Sequence, residues 1–247
     1  MNQFFVKDFT GQPFVIFSPS HLTVLGILLV IILLIYIFRN HFTEKGKKTL
    51  RYSLAILLIV QELTNHIWFI SAGQWTIQYM LPFHLCAVLV WASAYMLIFK
   101  SYRVYEFAYV IGIVGALQAI LTPDIGMYGF PHFRFFQTYL SHGSIVIAAL
   151  YMTWMEGFRP TPKSLLRVLI YGNLYMGLVG IINWLIGSNY LFIANKPPTA
   201  SLLDALPAWP IYILYIEGLA IVLGLLMYLP FAIKDARAKK SLLVQQT

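Results

Sequence analysis

The sequence predicts an all-α integral membrane protein, a bundle of seven transmembrane helices with the amino terminus outside and the carboxyl terminus in the cytoplasm. Three observations lead there. Of 247 residues, 60% are hydrophobic and only 11% are charged, whereas roughly a quarter of a soluble domain is charged. Apolar runs long enough to cross a hydrocarbon core of about 30 Å recur along the whole chain. The 17 basic residues also fall almost entirely in alternate connections between those runs, which is the positive-inside pattern.

In chain order the runs cover 21–38, 50–71, 80–98, 104–122, 133–155, 164–187 and 209–232. Backbone groups in lipid need internal partners, so each run is expected to be a helix. Ser20 stands where a hydroxyl can cap the first helix. Pro82 suits the first turn of the third, where its missing N–H costs nothing. The fifth run is the most interrupted, because Arg134, Gln137 and His142 fall near its start, and without it six spans remain.

Charge settles the order of the connections. Arg39, Lys45, Lys47, Lys48 and Arg51 lie between runs one and two, and Lys100 and Arg103 between three and four. Arg159, Lys163 and Arg167 lie between five and six, and Lys234, Arg237, Lys239 and Lys240 follow run seven. Only Lys7, Arg134 and Lys196 fall on the other side. That arrangement demands an odd number of crossings, which favours seven over six. It also makes the net charge of +8 a matter of orientation, with no nucleic-acid partner implied. The opening residues lack the basic start, apolar centre and small-residue cleavage site of a signal peptide. The first run therefore reads as a retained anchor. The chain reads as one polytopic domain, 1–247, with an outer amino-terminal segment at 1–20 and a basic cytoplasmic tail at 233–247 that has affinity for anionic lipid. A multi-pass protein of the plasma membrane is expected. The single cysteine permits no internal disulfide.

Given this topology, the polar residues inside the spans concentrate near the outer face. Gln61, Glu62, Asn65 and His66 come late in span two, and His84 and Cys86 early in span three. Gln118 comes late in span four, Thr138 and His142 early in span five, Asn183 late in span six and Glu217 early in span seven. Ionisable groups at such depth cost about 2.5–3.5 kcal/mol each on insertion scales and face the bundle interior. Glu62, Asn65 and His66 share one helix face by their i, i+3, i+4 spacing. Taken singly, each such residue is more often an interhelical hydrogen bond than a site. Six spans contributing to one depth favour a common polar cavity.

Within that cavity Cys86 is the candidate nucleophile. On a continuous helix His84 and Cys86 point about 200° apart, so they form no dyad, and a base must come from another span. His142 lies at similar depth. A Cys–His pair generates thiolate and accepts an acyl group from an ester. Glu62 or Glu217 is a candidate to orient the imidazole, and Asn183, Gln118 or His84 to donate to an oxyanion. His66 completes the list of orienting or substrate-binding residues. By position alone Cys86 lies past the first helical turn, where the helix terminus lowers a thiol pKa only slightly.

The segment LPFHLCAVLVW resembles the proline–hydrophobic–His–Leu–Cys motif of the YwaF-like bacterial integral membrane proteins. PDIGMYGFPHFRFFQTYLSHG and NYLFIANKPPTASLLDALPAWPIY resemble that family's other two signatures, and the likeness covers essentially the whole chain. The family is related to a vertebrate transmembrane acyltransferase of ether phospholipids, and more remotely to androgen-induced membrane hydrolases that cleave fatty-acid esters with a Thr/His pair. The resemblance implies Cys86 as nucleophile and His142 as its base, acting without a cofactor on a membrane phospholipid or fatty-acyl ester in a bacterial cytoplasmic membrane.

Two alternatives carry different chemistry. A zinc hydrolase of the seven-span type would draw on His66, His84, His132 and His142 with Glu62 and Asp124, but no HxxxH or HExxH pair is present to preset a metal geometry. A non-catalytic transporter or sensor would bind a small amphipathic ligand, and broken helices at the midplane would be its mark.

Overall fold

The computed structural model describes residues 3–197 and 202–244. Residues 198–201 of the long connection expected at 188–208, and 1–2 and 245–247 at the termini, lie outside the described residues. Among those described, seven helical rods and no strands are present. They are α1 (Pro19–Phe38), α2 (Glu44–Ser71), α3 (Leu85–Phe99), α4 (Tyr102–Leu121), α5 (Phe133–Trp154), α6 (Pro162–Ile186) and α7 (Ile211–Val244). Five of them, α1, α2, α4, α6 and α7, are long and apolar enough to cross a membrane. The other two need separate explanation.

α3 has only 15 residues, about 22 Å at 1.5 Å per residue. The run expected from residue 80 starts late because His84, with φ −65° and ψ 147°, is the N-cap. Pro82 therefore precedes the helix and does not occupy its first turn. α5 has the length to cross but carries Arg134, Gln137, Thr138, Ser141 and His142 in its first turns. It is also the most enclosed rod, with buried residues on every side from Phe135 to Met152, so protein satisfies the polar groups that lipid would not.

Local chemistry sets the other ends. Ser18, not Ser20, caps α1: its Oγ accepts from the His21 backbone at 3.4 Å, and Pro19 takes the first helical position, where its missing N–H is no loss. Thr43 caps α2 through Gly46 N at 3.1 Å. Thr161 and Ser164 form a reciprocal capping box at the start of α6, and Gly187 ends that helix with φ +65°, a conformation glycine adopts without a Cβ penalty. α4 is not uniform: Ala108–Gly112 form a π-helical turn within it. The tail expected after 232 continues as helix through Val244, with Pro230 inside.

α2, α3, α4 and α5 form the packed centre. α1 leans on α5 at Gly143, where a Cβ would lie 2.7 Å from the end of Leu28. α6 and α7 pair with each other and touch the centre through α4. These three outer helices expose runs of Leu, Ile and Val, apolar area that water would not tolerate on a monomer.

The rods alternate in direction. Lys100 after α3 pairs with Glu156 after α5 at 2.6 Å, Arg159 pairs with Asp235 on α7, and Tyr151 donates to Lys47 O at the start of α2. At the opposite end His21 reaches Ile120 O at 3.0 Å, Trp68 reaches Phe5 O at 2.9 Å, and Tyr190 receives the Leu81 N–H at 2.9 Å.

Candidate functional site

A polar network is built where α2 ends and α5 begins. Arg134, two residues past the N-cap of α5, donates through Nη1 to Asn65 Oδ1 and to Gln137 Oε1. Gln137 donates to Gln61 Oε1 at 3.0 Å, and Gln61 closes on Leu58 O at 3.1 Å. The Arg134 guanidinium lies 4.9 Å from the centre of the Phe69 ring. Beside it, His66 Nδ1 accepts from the Trp75 indole at 3.0 Å, and His66 Nε2 lies 3.5 Å from Glu62 Oε1. An indole can only donate, so the neutral His66 proton belongs on Nε2, facing the carboxylate. Glu62 and Arg134 influence each other electrostatically, yet among the described residues no ion pair joins them directly.

On the adjacent face of α5, His142 Nδ1 lies 2.8 Å from Thr138 O. A carbonyl only accepts, so the proton is on Nδ1 and Nε2 keeps its lone pair. Among the described residues Nε2 has no hydrogen-bond partner. Among the described residues no hydrogen bond joins His142 to the α2–α5 network; its ring is bonded within its own helix, to Thr138 O.

His84 has the opposite proton placement. Its Nδ1 accepts from Leu191 N at 3.4 Å, so its proton is on Nε2. Its ring packs against Tyr190 and Phe192 at 5.0 and 5.1 Å. Because His84 is the N-cap, Cys86 is the second residue of α3 and lies inside the first turn. The expectation that the cysteine sits beyond that turn is corrected by the late helix start. The Cys86 side chain packs against the core that α3 shares with α5.

The remaining candidates go elsewhere. Asn183 is buried and fully engaged: it donates to Tyr190 O at 2.9 Å and accepts from Ser188 Oγ at 2.7 Å and Tyr190 N at 2.8 Å. It holds the loop that carries Leu191 to His84. Gln118 is exposed and pairs with Thr122 one turn on, at 3.1 Å. Glu217 accepts from Asn173 on the outer face where α6 meets α7. Of the candidates, Gln61, Glu62, Asn65 and His66 join the α2–α5 network and Asn183 supports the knot around His84, while Cys86, His142, Gln118 and Glu217 are hydrogen-bonded into neither.

Arg134 and Gln137, which the sequence marked only as interruptions of the fifth run, and Trp75 are network members outside the candidate list. Arg134, Gln137 and Ser141 recur at i, i+3, i+7, a one-face signal that the hydropathy dip at this position obscured. The opposite end holds a second unanticipated cluster. There buried Glu106 receives Ser164 Oγ at 2.6 Å and Arg167 Nε at 2.8 Å, stapling α4 to α6. Among the described residues no group of three or more His, Cys, Asp or Glu is placed to hold a metal ion. Both ring nitrogens of His132 are also committed, one to Arg134 N at 3.1 Å and one to Val6 O at 3.0 Å.

The amino-terminal segment straps over the network. Phe4 O accepts from Phe133 N, Phe5 O from the Trp68 indole, Val6 O from His132, and Lys7 O from the Tyr128 hydroxyl. Burial pushes the His132 imidazole below its ordinary pKa, outweighing its bond to Val6. A model of the TMEM164 family matches residues 16–228, all of α1 to α6 and more than half of α7. The chain belongs to the TMEM164 family. No curated protein and no solved structure matches it. The TMEM164 match takes in Cys86, His142 and the whole α2–α5 network, and the strap at 3–15 lies ahead of it.

Proposed function

We propose that this member of the TMEM164 family is a seven-crossing protein of the bacterial plasma membrane, amino terminus outside, that transfers or hydrolyses the acyl group of a phospholipid or fatty-acyl ester through an acyl-cysteine on Cys86. The observation that carries this reading is the complementary proton placement on two histidines. His142 offers a bare Nε2, as a base requires, and its Nδ1–H is held by Thr138 O. His84, N-cap of the helix that bears Cys86, keeps an Nε2–H free to donate.

In this reading His142 Nε2 takes the thiol proton and the thiolate attacks the ester carbonyl. The His84 Nε2–H stabilises the resulting oxyanion. Its collapse forms the thioester and expels the alkoxide, which recovers the proton from His142. Water or a second lipid hydroxyl then gives its proton to His142 and attacks the thioester, returning the thiol. The first-turn position of Cys86 supports the charged form, because the positive end of the helix dipole favours an anion there. That gain opposes the cost of holding a thiolate away from water. Thr138 O occupies the orienting position on His142 that Glu62 or Glu217 was expected to fill. Asn183 is a positioning residue acting through the Tyr190 loop.

The test is intact-mass analysis after incubation with membrane lipids. An acyl adduct on the protein that is lost on hydroxylamine treatment, and absent from Cys86→Ala, is the expected result. A folded Cys86→Ala protein with undiminished ester turnover would end the reading. A non-catalytic transporter or sensor draws on one observation, the π turn in α4, since such turns recur at functional sites. Ligand uptake into proteoliposomes that survives alkylation of Cys86 is what that reading requires.

A further inference from the structure

The surface that α6 and α7 turn away from the bundle is hydrocarbon over most of its area, but one polar pair interrupts it. Asn173, near the middle of α6, is exposed. Its amide donates to Leu169 O at 3.0 Å and to Glu217 Oε1 on α7. By helical spacing Leu166, Ile170 and Trp184 share the Asn173 face, and Leu214 and Ile221 share the Glu217 face. All five are exposed apolar side chains, so the pair sits in a lipid-facing seam. Among the described residues Glu217 has no cation within ion-pair distance, and neither its Oε2 nor Asn173 Oδ1 makes a hydrogen bond.

Ionisable groups inside membrane spans face a bundle interior or a water-filled cavity, and a polar group facing hydrocarbon costs free energy until it is hydrogen-bonded. The chemistry of the pair says what would cover it. As the carboxylic acid, Glu217 has one O–H to donate, and Asn173 Oδ1 is an acceptor. Each copy of the chain therefore carries both halves of one hydrogen bond, on neighbouring helices at one level. A two-fold rotation about the membrane normal sets α6 of one copy against α7 of the other, and each half then meets its complement twice. A partner offering only a cation would satisfy the carboxylate and leave Asn173 Oδ1 bare. A second copy satisfies both. There is room for it: a Cβ at Gly172, Gly177 or Gly218 would meet nothing within 4 Å, and small residues beside such a seam let backbones close in.

We propose that the α6–α7 face is the interface of a symmetric homodimer, closed by reciprocal hydrogen bonds between Glu217 of one copy and the partner's Asn173. The inference does not rest on the acyl-transfer reading.

The test uses protein carrying Cys86→Ser and a single Lys163→Cys, labelled with a donor or an acceptor fluorophore, mixed in liposomes and diluted with lipid. Energy transfer that follows a monomer–dimer equilibrium is expected. Asn173→Leu and Glu217→Leu should each weaken association about tenfold, because two bonds are lost per dimer. Both positions lie in the outer seam, and an unchanged helical circular dichroism spectrum verifies the fold. Glu217→Gln, which keeps a donor there, should associate like the parent. A mixed sample separates contact between copies from contact within one. An Asn173→Leu copy retains Glu217 and a Glu217→Leu copy retains Asn173, so together they rebuild one of the two bonds. They should associate about threefold more tightly with each other than either does with itself. Energy transfer no greater than random proximity in the parent protein, association unaffected by both Leu substitutions, or no advantage for the mixed pair would overturn the proposal.

Discussion

His84 and Cys86 are separated by one residue, and the helix start that falls between them decides what each can do. On a continuous helix they would look in opposite directions. As N-cap and second residue they belong to a helix terminus, where an extended His84 turns to the 190–192 loop and Cys86 sits in the turn whose backbone N–H groups lack helical partners. Pro82 hid this, since proline suits a first turn as well as an approach to one. Asn183 shows the same limit: its type and depth were legible as polar, but its bonds to Ser188 and Tyr190, five and seven residues on, were not. Asn183→Ala strips partners from buried Tyr190 backbone groups and should cost about 2 kcal/mol, read as a lowered thermal midpoint in detergent. His132 makes a pH prediction. Its pKa lies below the ordinary value because of burial, so between the folded value and about 6.5 the unfolded chain binds more protons. Stability is therefore complete above about pH 6.5 and declines as pH falls through that window, by at most about 1.4 kcal/mol per unit. A proton on His132 Nδ1 also displaces the Arg134 N–H it accepts. Thermal scans from about pH 7.5 to pH 5 should show this slope, and His132→Asn, which keeps a capping acceptor without titrating, should flatten it.

At the scale of elements, hydropathy located every rod and placed only the start of α3 about five residues early. α1, α6 and α7 expose apolar side chains over most of their length, so composition and environment agree. α5 is enclosed, and enclosure lets it carry Arg134, Gln137 and His142 at positions a lipid-facing helix would not afford. The π turn of α4 leaves no mark in apolar periodicity, because Ala108–Gly112 is as hydrophobic as its neighbours. The strap was legible only as an outer segment. Its carbonyls are taken by Trp68, His132, Tyr128 and Phe133, all remote in sequence. Gly129 is a point of close approach between that strap and the 123–132 connection: a Cβ there would stand 2.3 Å from Gln12 O and 2.9 Å from Pro13 C. Those are backbone atoms with no rotamer to yield. Gly129→Ala should push residues 12–14 away and break the Phe14 N–Gly126 O bond of 3.1 Å. Hydrogen exchange at the Phe14 amide should accelerate about tenfold or more, the equivalent of one lost backbone hydrogen bond, while amides of α5 beyond Thr138 stay unchanged.

Across the whole molecule, the charge pattern and the geometry describe the same alternation from independent directions. Lys100, Arg159 and Lys47 meet partners at one end, and the strap, His21 and Tyr190 gather at the other. Two rods decide whether this alternation means seven crossings: α3 is shorter than the hydrocarbon thickness, and α5 is polar. Single cysteines in a Cys86→Ser background separate them. Tyr79 and Met127 are exposed in the connections before α3 and α5, and Arg103 and Lys163 are exposed in the first turns of α4 and α6. Cysteines there should react with an impermeant maleimide in intact cells at 79 and 127, and only after permeabilisation at 103 and 163. Equal access at 79 and 103 would mean that α3 stops short, and equal access at 127 and 163 that α5 does. α3 is expected to cross because its ends are extended by ordered chain. Residues 81–84 are held to the α6 loop by Tyr190 and His84, and Lys100 reaches Glu156 beyond the far end. α5 is expected to cross because α2, α3 and α4 surround it, so its polar residues meet side chains where a lone helix would meet lipid. Removing that shelter should matter more than adding charge. Gln61→Leu takes away the acceptor of the Gln137 amide and should destabilise the protein by about 1–3 kcal/mol; adding Gln137→Leu removes that orphaned amide but also strips Arg134 Nη1 of an acceptor, so the double variant should recover only part of the loss.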